Sequence, residues 1–521
     1  MVARCFSLLL IILVLPITAQ VQRVDEQLQK LLMAESAITT LYVEAVDDEK
    51  IVEAAIQGML KELDPHSTYL NSDEVKKSNE SLQGNFDGIG IQFNMIEDTL
   101  FIVQPISDGP SERVGILPGD RIVSVNDTVI AGVGMSDQKI MNRLRGPKGT
   151  EVKLGVMRKG ISNTLFFYVI RDKIPVKTID ASYIVSEDIG YIKISTFGLT
   201  TVEEFIQAIL DLKSQGASNL ILDLQGNGGG YLMSAVGIAN EFLLEDQLIV
   251  YTEGRRSPKI GYSAKGSGNF LEGKLIVLID EYSASAAEIV AGAVQDWDRA
   301  IIVGRRSFGK GLVQRPVEFN DGSMIRLTIA NYYTPSGRSI QKPYNDGSQY
   351  GLELNERFNN GELMSADSVH FPDSLKYKTL TLDRTVYGGG GIMPDYFIPL
   401  DTMRYTKLHR ELSAKGVILR ANLAYVEKNR GALQVKYRDF EIFDKEFNVE
   451  QDFLNLLIQK AKELGVELDQ NQYNSSLPML SIQLKALVAR DLWTLSDYFK
   501  IINRLDDSVE KAIELLGKKS S

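Results

Sequence analysis

Apolar positions fall into three regimes along the chain. Over residues 25–63 they follow a helical period. Ile51, Ala54, Ala55, Gly58 and Met59 stand at i, i+3, i+4, i+7 and i+8, one face of a helix. Asp64-Pro65 ends that helix, and the polar stretch Asn71–Gln83 reads as a link. From Gly84 to Lys173 short strand patterns alternate with glycine turns. One helix-like piece, Ser136–Arg145, interrupts them, with Ser136 placed as its N-cap. Between 174 and 340 apolar strand runs alternate with amphipathic helices, which predicts an α/β layer. Asn219–Leu224, Lys274–Asp280 and Ala300–Gly304 are examples of these strands, and Asn320-Asp321-Gly322 is the turn of a hairpin between Val313–Phe319 and Met324–Asn331. Residues 342–385 are polar and irregular and read as an insertion. From 401 onward the pattern is helical again: Phe453, Leu456, Leu457 and Leu464 form one stripe, and Leu480–Leu516 continues in kind.

The N-terminus changes the picture of where the chain works. Residues 1–20 read MVARCFSLLLIILVLPITAQ. One arginine precedes the apolar run Phe6–Leu15, Pro16 breaks it, and cleavage is expected after Ala19, the layout of a secretory signal peptide. The run is short for a membrane span, which needs about 20 residues. The expected location is therefore periplasmic or secreted, with membrane association if the segment stays as an anchor. Cys5 is the only cysteine. That excludes an intrachain disulfide and a cysteine-ligated zinc and, once the leader is removed, a cysteine nucleophile. His66, His370 and His409 are the only histidines, too few for a histidine-rich metal site. The formal charge of −11 over 521 residues argues against nucleic acid as the partner. At 44% hydrophobic and 24% charged residues, the composition is that of a folded globular chain.

Candidate chemistry concentrates in two loops. In KLIVLIDEYSASAAEIVAGAVQDW a buried-type strand (Leu275–Ile279) runs into a small-residue turn and then a helix, with Ser285 at the helix N-terminus. Free N–H groups and the helix dipole there favour negative charge. A serine so placed can attack a carbonyl while neighbouring N–H groups hold the oxyanion. The plainer use of Ser285 or Ser283 is as a helix cap. In RRSFGKGLVQ, Lys310 lies between two glycines, so backbone can approach it closely. A lysine activates a serine only when neutral, which burial away from carboxylates promotes. Serine–lysine pairs are a known variant of triad logic. Gln314, four residues on, falls on the same side of a strand and could orient the amine. Gly304–Lys310 also matches a phosphate-binding loop except for its last hydroxyl, replaced by Gly311, and a strand-like run follows where that loop needs a helix. The glycine run LILDLQGNGGGY sets exposed N–H groups after a strand, suited to an oxyanion or to a tight turn.

With LDPHSTYL, FDGIGI, GPSERVGILPGDRIVSVND, GYIKISTF, LILDLQGNGGG, SASAAEIVAGAVQDW, SFGKGLVQ and YYTPSGRSIQ in order, the chain resembles the C-terminal processing peptidases, or tail-specific proteases, over residues 25–345 and again at GGGGIMPD (388–395). The resemblance implies Ser285 as nucleophile, Lys310 as general base 25 residues later, Gln314 as its partner, and Gly229 and Ala286 as oxyanion donors. Asp296, 11 residues past Ser285, lies about 16 Å along the same helix; it is read as a structural anchor, and Glu288 as an ordinary acid of the first helical turn. Two departures stand in the DLRxNPGG loop of the family: Gln225 replaces arginine and Gly228 replaces proline. That loop is expected to be more flexible and to lack one charge. Residues 342–385 interrupt the usual run.

The implied architecture is an α/β (α+β) multidomain fold, with a crotonase-like/ClpP-like serine protease core, an inserted PDZ domain, and helical N- and C-terminal regions. The divisions are a signal peptide (1–20), a helical region (21–83), the PDZ domain (84–173), the protease core (174–400, with its insertion at 342–385) and a helical tail (401–521). Residues 84–173 resemble a PDZ domain in the permuted form these proteases carry. Such domains add a peptide strand to a sheet edge and capture its terminal carboxylate. Gly88, Ile89, Gly90 and Ile91 are the expected carboxylate loop and pocket. The implied activity is serine endopeptidase, acting on proteins with free, apolar C-termini. No cofactor or metal is implied, an activating partner is compatible, and the terminal helices could pair two copies. The rival readings are a non-catalytic peptide-binding scaffold of the same fold and an acyl-thioester enzyme of the related crotonase-like fold.

Overall fold

The computed structural model describes residues 26–96, 98–344, 350–401 and 404–517. The leader and its cleavage position lie outside the described residues. Two compact units divide at residues 63 and 64.

The first unit holds the helices Glu26–Leu41 and Asp48–Lys61 rather than one continuous helix. Asp47 starts the second by accepting the N–H of Lys50 at 3.3 Å. The expected apolar face is a correction: of Asp48–Lys61 only Leu60 is buried, and Met59 is exposed.

The second unit begins with a further correction. Ser72–Gln83, expected as a link, is a helix. Asn71 accepts the N–H of Glu74 (3.0 Å) while Glu74 accepts that of Asn71 (2.9 Å), a reciprocal cap that starts a helix without an apolar stripe. Next comes a β module closed by its own ends, Asn85–Gly88 paired antiparallel with Asp172–Pro175. Its sheet runs Ile91–Ile96, Thr99–Pro105, Arg121–Val125, Glu151–Met157, Leu165–Ile170 in spatial order. The helix Asp137–Leu144, following Ser136 as expected, closes its core with Ile140 and Leu144.

The central sheet has the order Ile179–Ser186, Ile189–Ile194, Asn219–Asp223, Leu275–Ile279, Ile301–Gly304, Tyr396–Phe397. Its first pair is antiparallel and the rest parallel. Helices Thr201–Ser214, Leu232–Asn240 and Ala286–Asp296 cover one face, and the last of these is buried along its whole length. Its alanines and glycine allow close approach on every side, and the polar residues it buries are Glu288, Gln295 and Asp296. A second sheet holds the expected hairpin, Leu312–Glu318 against Met324–Tyr333, with Thr68–Leu70 on the far side of Met324–Tyr333. The insertion carries a short helix, Glu353–Asn359, and a hairpin of Lys376–Lys378 with Thr385–Tyr387.

The tail from 404 is helical. Its last helix, Asp507–Gly517, lays Val509, Ala512 and Leu516 on the other face of the central sheet. Among the described residues no helix is long and apolar enough to cross a membrane.

Candidate active site

Three adjacent parallel strands end on the same side and feed three loops. Asn219–Asp223 leads into 225–230, Leu275–Ile279 into 280–285, and Ile301–Gly304 into 305–310. Carboxyl ends of parallel strands are where such sheets place their ligands. The second sheet delivers Gln314 and Tyr332 to the same place, and Lys310 stands just before its strand Leu312–Glu318.

Ser285 caps the buried helix with φ 56° and ψ −110°. A non-glycine residue held at such angles stores strain of about 1–3 kcal/mol, which its surroundings must offset. Its N–H donates to Glu288 Oε2 at 2.8 Å. Glu288 is fully buried and does more than the sequence suggested. Its Oε2 also accepts the N–H of Lys310 (2.9 Å), and its Oε1 accepts Ser307 Oγ (2.5 Å) and the N–H of Gly309 (2.7 Å). Gly309 takes φ 87°, which keeps this turn open to a glycine only. Burial pushes the Glu288 carboxyl above its ordinary value, while these four donors pull it back.

Tyr332, also buried, bridges the same two residues from the other side. Its hydroxyl lies 3.0 Å from the carbonyl oxygen of Ser285 and 2.6 Å from that of Lys310. Sequence reasoning did not single out Tyr332, because its partners lie 47 and 22 residues away.

The Lys310 amine donates to Gln314 Oε1 at 3.1 Å and, among the described residues, not to Ser285 Oγ. Burial holds its pKa below the ordinary 10.5, and Arg326 adds to the depression; Glu288 and Asp64 oppose it. Gln314 in turn donates to the carbonyl oxygen of His66. His66 sits in a turn capped by Asp64, which accepts the N–H groups of His66 (2.8 Å) and Ser67 (2.9 Å) and the Ser67 hydroxyl (2.6 Å). The imidazole meets the Tyr350 hydroxyl at 2.6 Å, and burial with Lys310 nearby lowers its pKa to about 4. A neutral ring on the far side of Gln314 leaves the lysine as the titrating group next to this glutamine.

The glycine loop departs from expectation. The N–H of Gly229 donates to Asn227 Oδ1 at 2.8 Å, an Asx turn, so it is not the free donor the resemblance implied. Asn227, buried, also donates to Ile194 O (2.8 Å), and its carbonyl accepts the N–H of Ala284 (2.9 Å). Gly229 instead packs on the serine: a Cβ there would stand 2.8 Å from that of Ser285. The N–H of Ala286, first in the helix, has no partner among the described residues. The loop expected to be flexible is tied down, with Gly226 N–H on Asp280 Oδ1 at 2.9 Å and Gln225 N–H on Asp223 Oδ1 at 2.8 Å. With its amide nitrogen turned to the carboxylates, Gln225 donates to Asp506 Oδ2 (3.0 Å) and Asp223 Oδ1 (3.3 Å). Asp223 finds the missing cation in Lys193, 2.9 Å away.

Asp296 is the anchor expected. It pairs with Arg338 at 2.8 Å, both side chains fully buried, and accepts the N–H of Ser336 at 2.9 Å. The strand Leu312–Glu318 follows Lys310 where a phosphate-binding loop needs a helix. In the β module Gly88, the end of the strand Asn85–Gly88, and Ile89 and Gly90, which link it to Ile91–Ile96, are all buried. Among the described residues Ile91–Ile96 is paired on one side only, at the sheet edge. Among the described residues no group of three His, Cys, Asp or Glu could hold a metal ion.

Comparison with known proteins agrees with this arrangement. Residues 188–347 match the model of Peptidase family S41, 88–166 that of the PDZ domain, and 16–74 that of the activating protease CtpB N-terminal domain. Residues 408–494 match a family of unknown function. The carboxy-terminal processing protease CtpB of Bacillus subtilis is 35% identical over 365 residues, 69% of this chain and 74% of that protein. The carboxy-terminal-processing protease of Bartonella bacilliformis is 40% identical over 309 residues, 58% of this chain and 70% of that one. A solved photosystem II D1 C-terminal processing protease aligns at 27% identity and TM-score 0.35, covering 61% of this chain and 90% of its own. The chain belongs to the carboxy-terminal processing proteases of peptidase family S41, serine-type endopeptidases with an α/β core and an inserted PDZ domain.

Proposed function

We propose that Ser285 is the nucleophile and Lys310 the general base of an exported endopeptidase that selects its substrates by their C-termini. The observation that carries this reading is the shared frame of the two residues: one carboxylate oxygen accepts both N–H groups and one tyrosine hydroxyl spans both carbonyls. Ser285 Oγ attacks the scissile carbonyl and gives its proton to the neutral Lys310 amine. The tetrahedral oxyanion forms beside the N–H of Ala286, a donor worth about 10²–10³ in rate. The lysine ammonium then protonates the leaving amine, leaving an acyl ester on Ser285. Water, deprotonated by the same lysine, attacks the ester, and the ammonium returns that proton to Ser285 Oγ as the acid product leaves. Gln314 holds the amine between turnovers, and Gly229 lets the loop close on the serine. Rapid quenching during turnover should trap a peptide acyl group, by mass, on Ser285; an adduct mapped elsewhere contradicts the assignment.

The PDZ module supports recognition of free apolar C-termini. Ile91–Ile96 offers an unpaired edge, and the Gly88–Gly90 turn offers backbone N–H groups at its entrance. Amidating a substrate's C-terminus should slow its cleavage; unchanged cleavage sinks this part. The export reading rests on residues 1–20, and N-terminal sequencing of protein recovered outside the cytoplasm tests it. Leu28, Leu31, Leu32, Met33, Ile38 and Leu41 are exposed on Glu26–Leu41, which supports pairing of two copies through terminal helices. Sedimentation of the chain lacking residues 26–41 should show loss of that pairing.

A further inference from the structure

We propose that the insertion is a positioning element for Lys310, with Arg357 and Tyr350 as the residues through which it acts. This rests on the reading of Lys310 as the base. The insertion lies almost wholly outside the residues matched to the peptidase family, which end at 347.

It reaches the lysine by two routes. The first goes to the backbone of the loop. Arg357, from the helix Glu353–Asn359, is buried and donates to the carbonyl oxygens of Arg306 (2.6 Å) and Ser307 (3.2 Å). Its Nε pairs with Glu362 at 2.8 Å, and Glu362 grips the Arg306 guanidinium at 2.6 and 2.9 Å. The next residues of that loop are Ser307, Gly309 and Lys310, which carry the donors to Glu288. Arg357 thus holds the carbonyl side of the loop whose N–H side Glu288 holds. A planar fork spanning two carbonyls and a carboxylate is work that a lysine's point charge cannot copy.

The second route goes to the amine. Tyr350 meets the His66 ring at 2.6 Å, the His66 carbonyl accepts from Gln314, and Gln314 accepts from Lys310 Nζ. Lys342 braces both routes: it pairs with Glu353 at 2.7 Å, lies 4.0 Å from the Phe308 ring and 4.1 Å from that of Tyr350, and its N–H donates to the carbonyl of Gly309 at 3.0 Å. The charged groups that face Lys310 itself are Arg326, Glu288 and Asp64, with the His66 ring nearby. Arg357→Met alters none of these, and Tyr350→Phe removes only the hydroxyl that meets the neutral His66 ring. A change in the lysine's titration in those variants therefore reports its placement and hydration.

The test compares the full chain with Arg357→Met, Tyr350→Phe and Lys310→Ala on one peptide substrate, measuring kcat, KM and the pH dependence of kcat per folded molecule. Misplacing a reacting group by an ångström costs about 10²-fold. Arg357→Met should lower kcat by about 10- to 100-fold with KM within two-fold, and Tyr350→Phe by less. In both, the acid limb of kcat should move to higher pH, because a loosened lysine meets water. A lower rate with the parental limb in both variants overturns the proposal. If Arg357→Met does not fold, Tyr350→Phe decides alone. Cleavage by Lys310→Ala at the parental rate overturns the reading of the base and the proposal with it. A silent Lys310→Ala beside parental behaviour of the other two overturns the positioning role only.

Discussion

Ser285 and Lys310 are joined through their backbones rather than through their side chains. Glu288 Oε2 accepts the N–H of Ser285 at 2.8 Å and that of Lys310 at 2.9 Å, and the Tyr332 hydroxyl reaches the carbonyl oxygens of the same two residues. Two loops from neighbouring strands therefore share one buried frame, and the spacing between the proposed nucleophile and the proposed base is set by side chains that touch neither Ser285 Oγ nor Lys310 Nζ.

Glu288→Gln should break that frame. An amide keeps one accepting oxygen but puts an NH2 donor where the other oxygen accepts two groups, leaving those buried donors unpaired at about 1–3 kcal/mol each. We expect a lower Tm and a fall in kcat of at least 10²-fold. Tyr332→Phe should cost about 1 kcal/mol of stability and lower kcat without raising KM. Thermal melts and steady-state kinetics check both.

The rate should rise with pH through a single group on the acid side. As the proposed base, Lys310 would have to be neutral to accept the serine proton, and burial holds its pKa below 10.5. Below that depressed pKa the amine is charged and the enzyme idle. Gln314→Glu would set a carboxylate against the amine, favour its charged form and move the acid limb upward. A pH profile of kcat for the two proteins reads the shift.

His66 should matter for acid stability more than for rate. Its folded pKa of about 4 lies below the ordinary 6.5. The unfolded state therefore binds the extra proton between these values, and the ring's contribution to stability, complete above pH 6.5, is lost as pH falls toward 4. After discounting for partial exposure, the loss is about 1–2 kcal/mol. His66→Phe should remove that slope in pH-dependent melts. It should lower kcat no further than Tyr350→Phe does, since both remove the same ring contact and Gln314 still binds the backbone carbonyl.

Asp296→Ala should unfold rather than inactivate. It strands the fully buried Arg338 guanidinium, and breaking a buried ion pair from one side costs about 3–5 kcal/mol. Denaturant unfolding measures the loss.

Gln225→Arg should be tolerated. The side chain faces Asp223 and Asp506, so a cation there meets two carboxylates. Parental cleavage with an unchanged or higher Tm is expected.

The strands of the central sheet were legible because buried parallel strands are continuous apolar runs, and Leu275–Ile279 was placed to the residue. Ser285, Lys310 and Gln314 were legible as a set because motif order carried them. The helix Ser72–Gln83 was missed because it has no apolar period, although Asn71 and Glu74 spell its cap. Glu288 was misjudged because a first-turn acid has a local explanation that hides partners at 307, 309 and 310. Tyr332 and the carbonyl of His66 left no signal: backbone acceptors have no sequence signature, and a tyrosine in an apolar strand reads as core. The commitment of Gly229 to Asn227 turns on a side-chain rotation that glycine content alone does not specify.

The most direct test of the account sets the full chain beside Ser285→Ala and Lys310→Ala on an unfolded protein ending in apolar residues. Cleavage by the parent and none by either variant is expected, with all three equally folded by circular dichroism. Cleavage by either variant at the parental rate would contradict it.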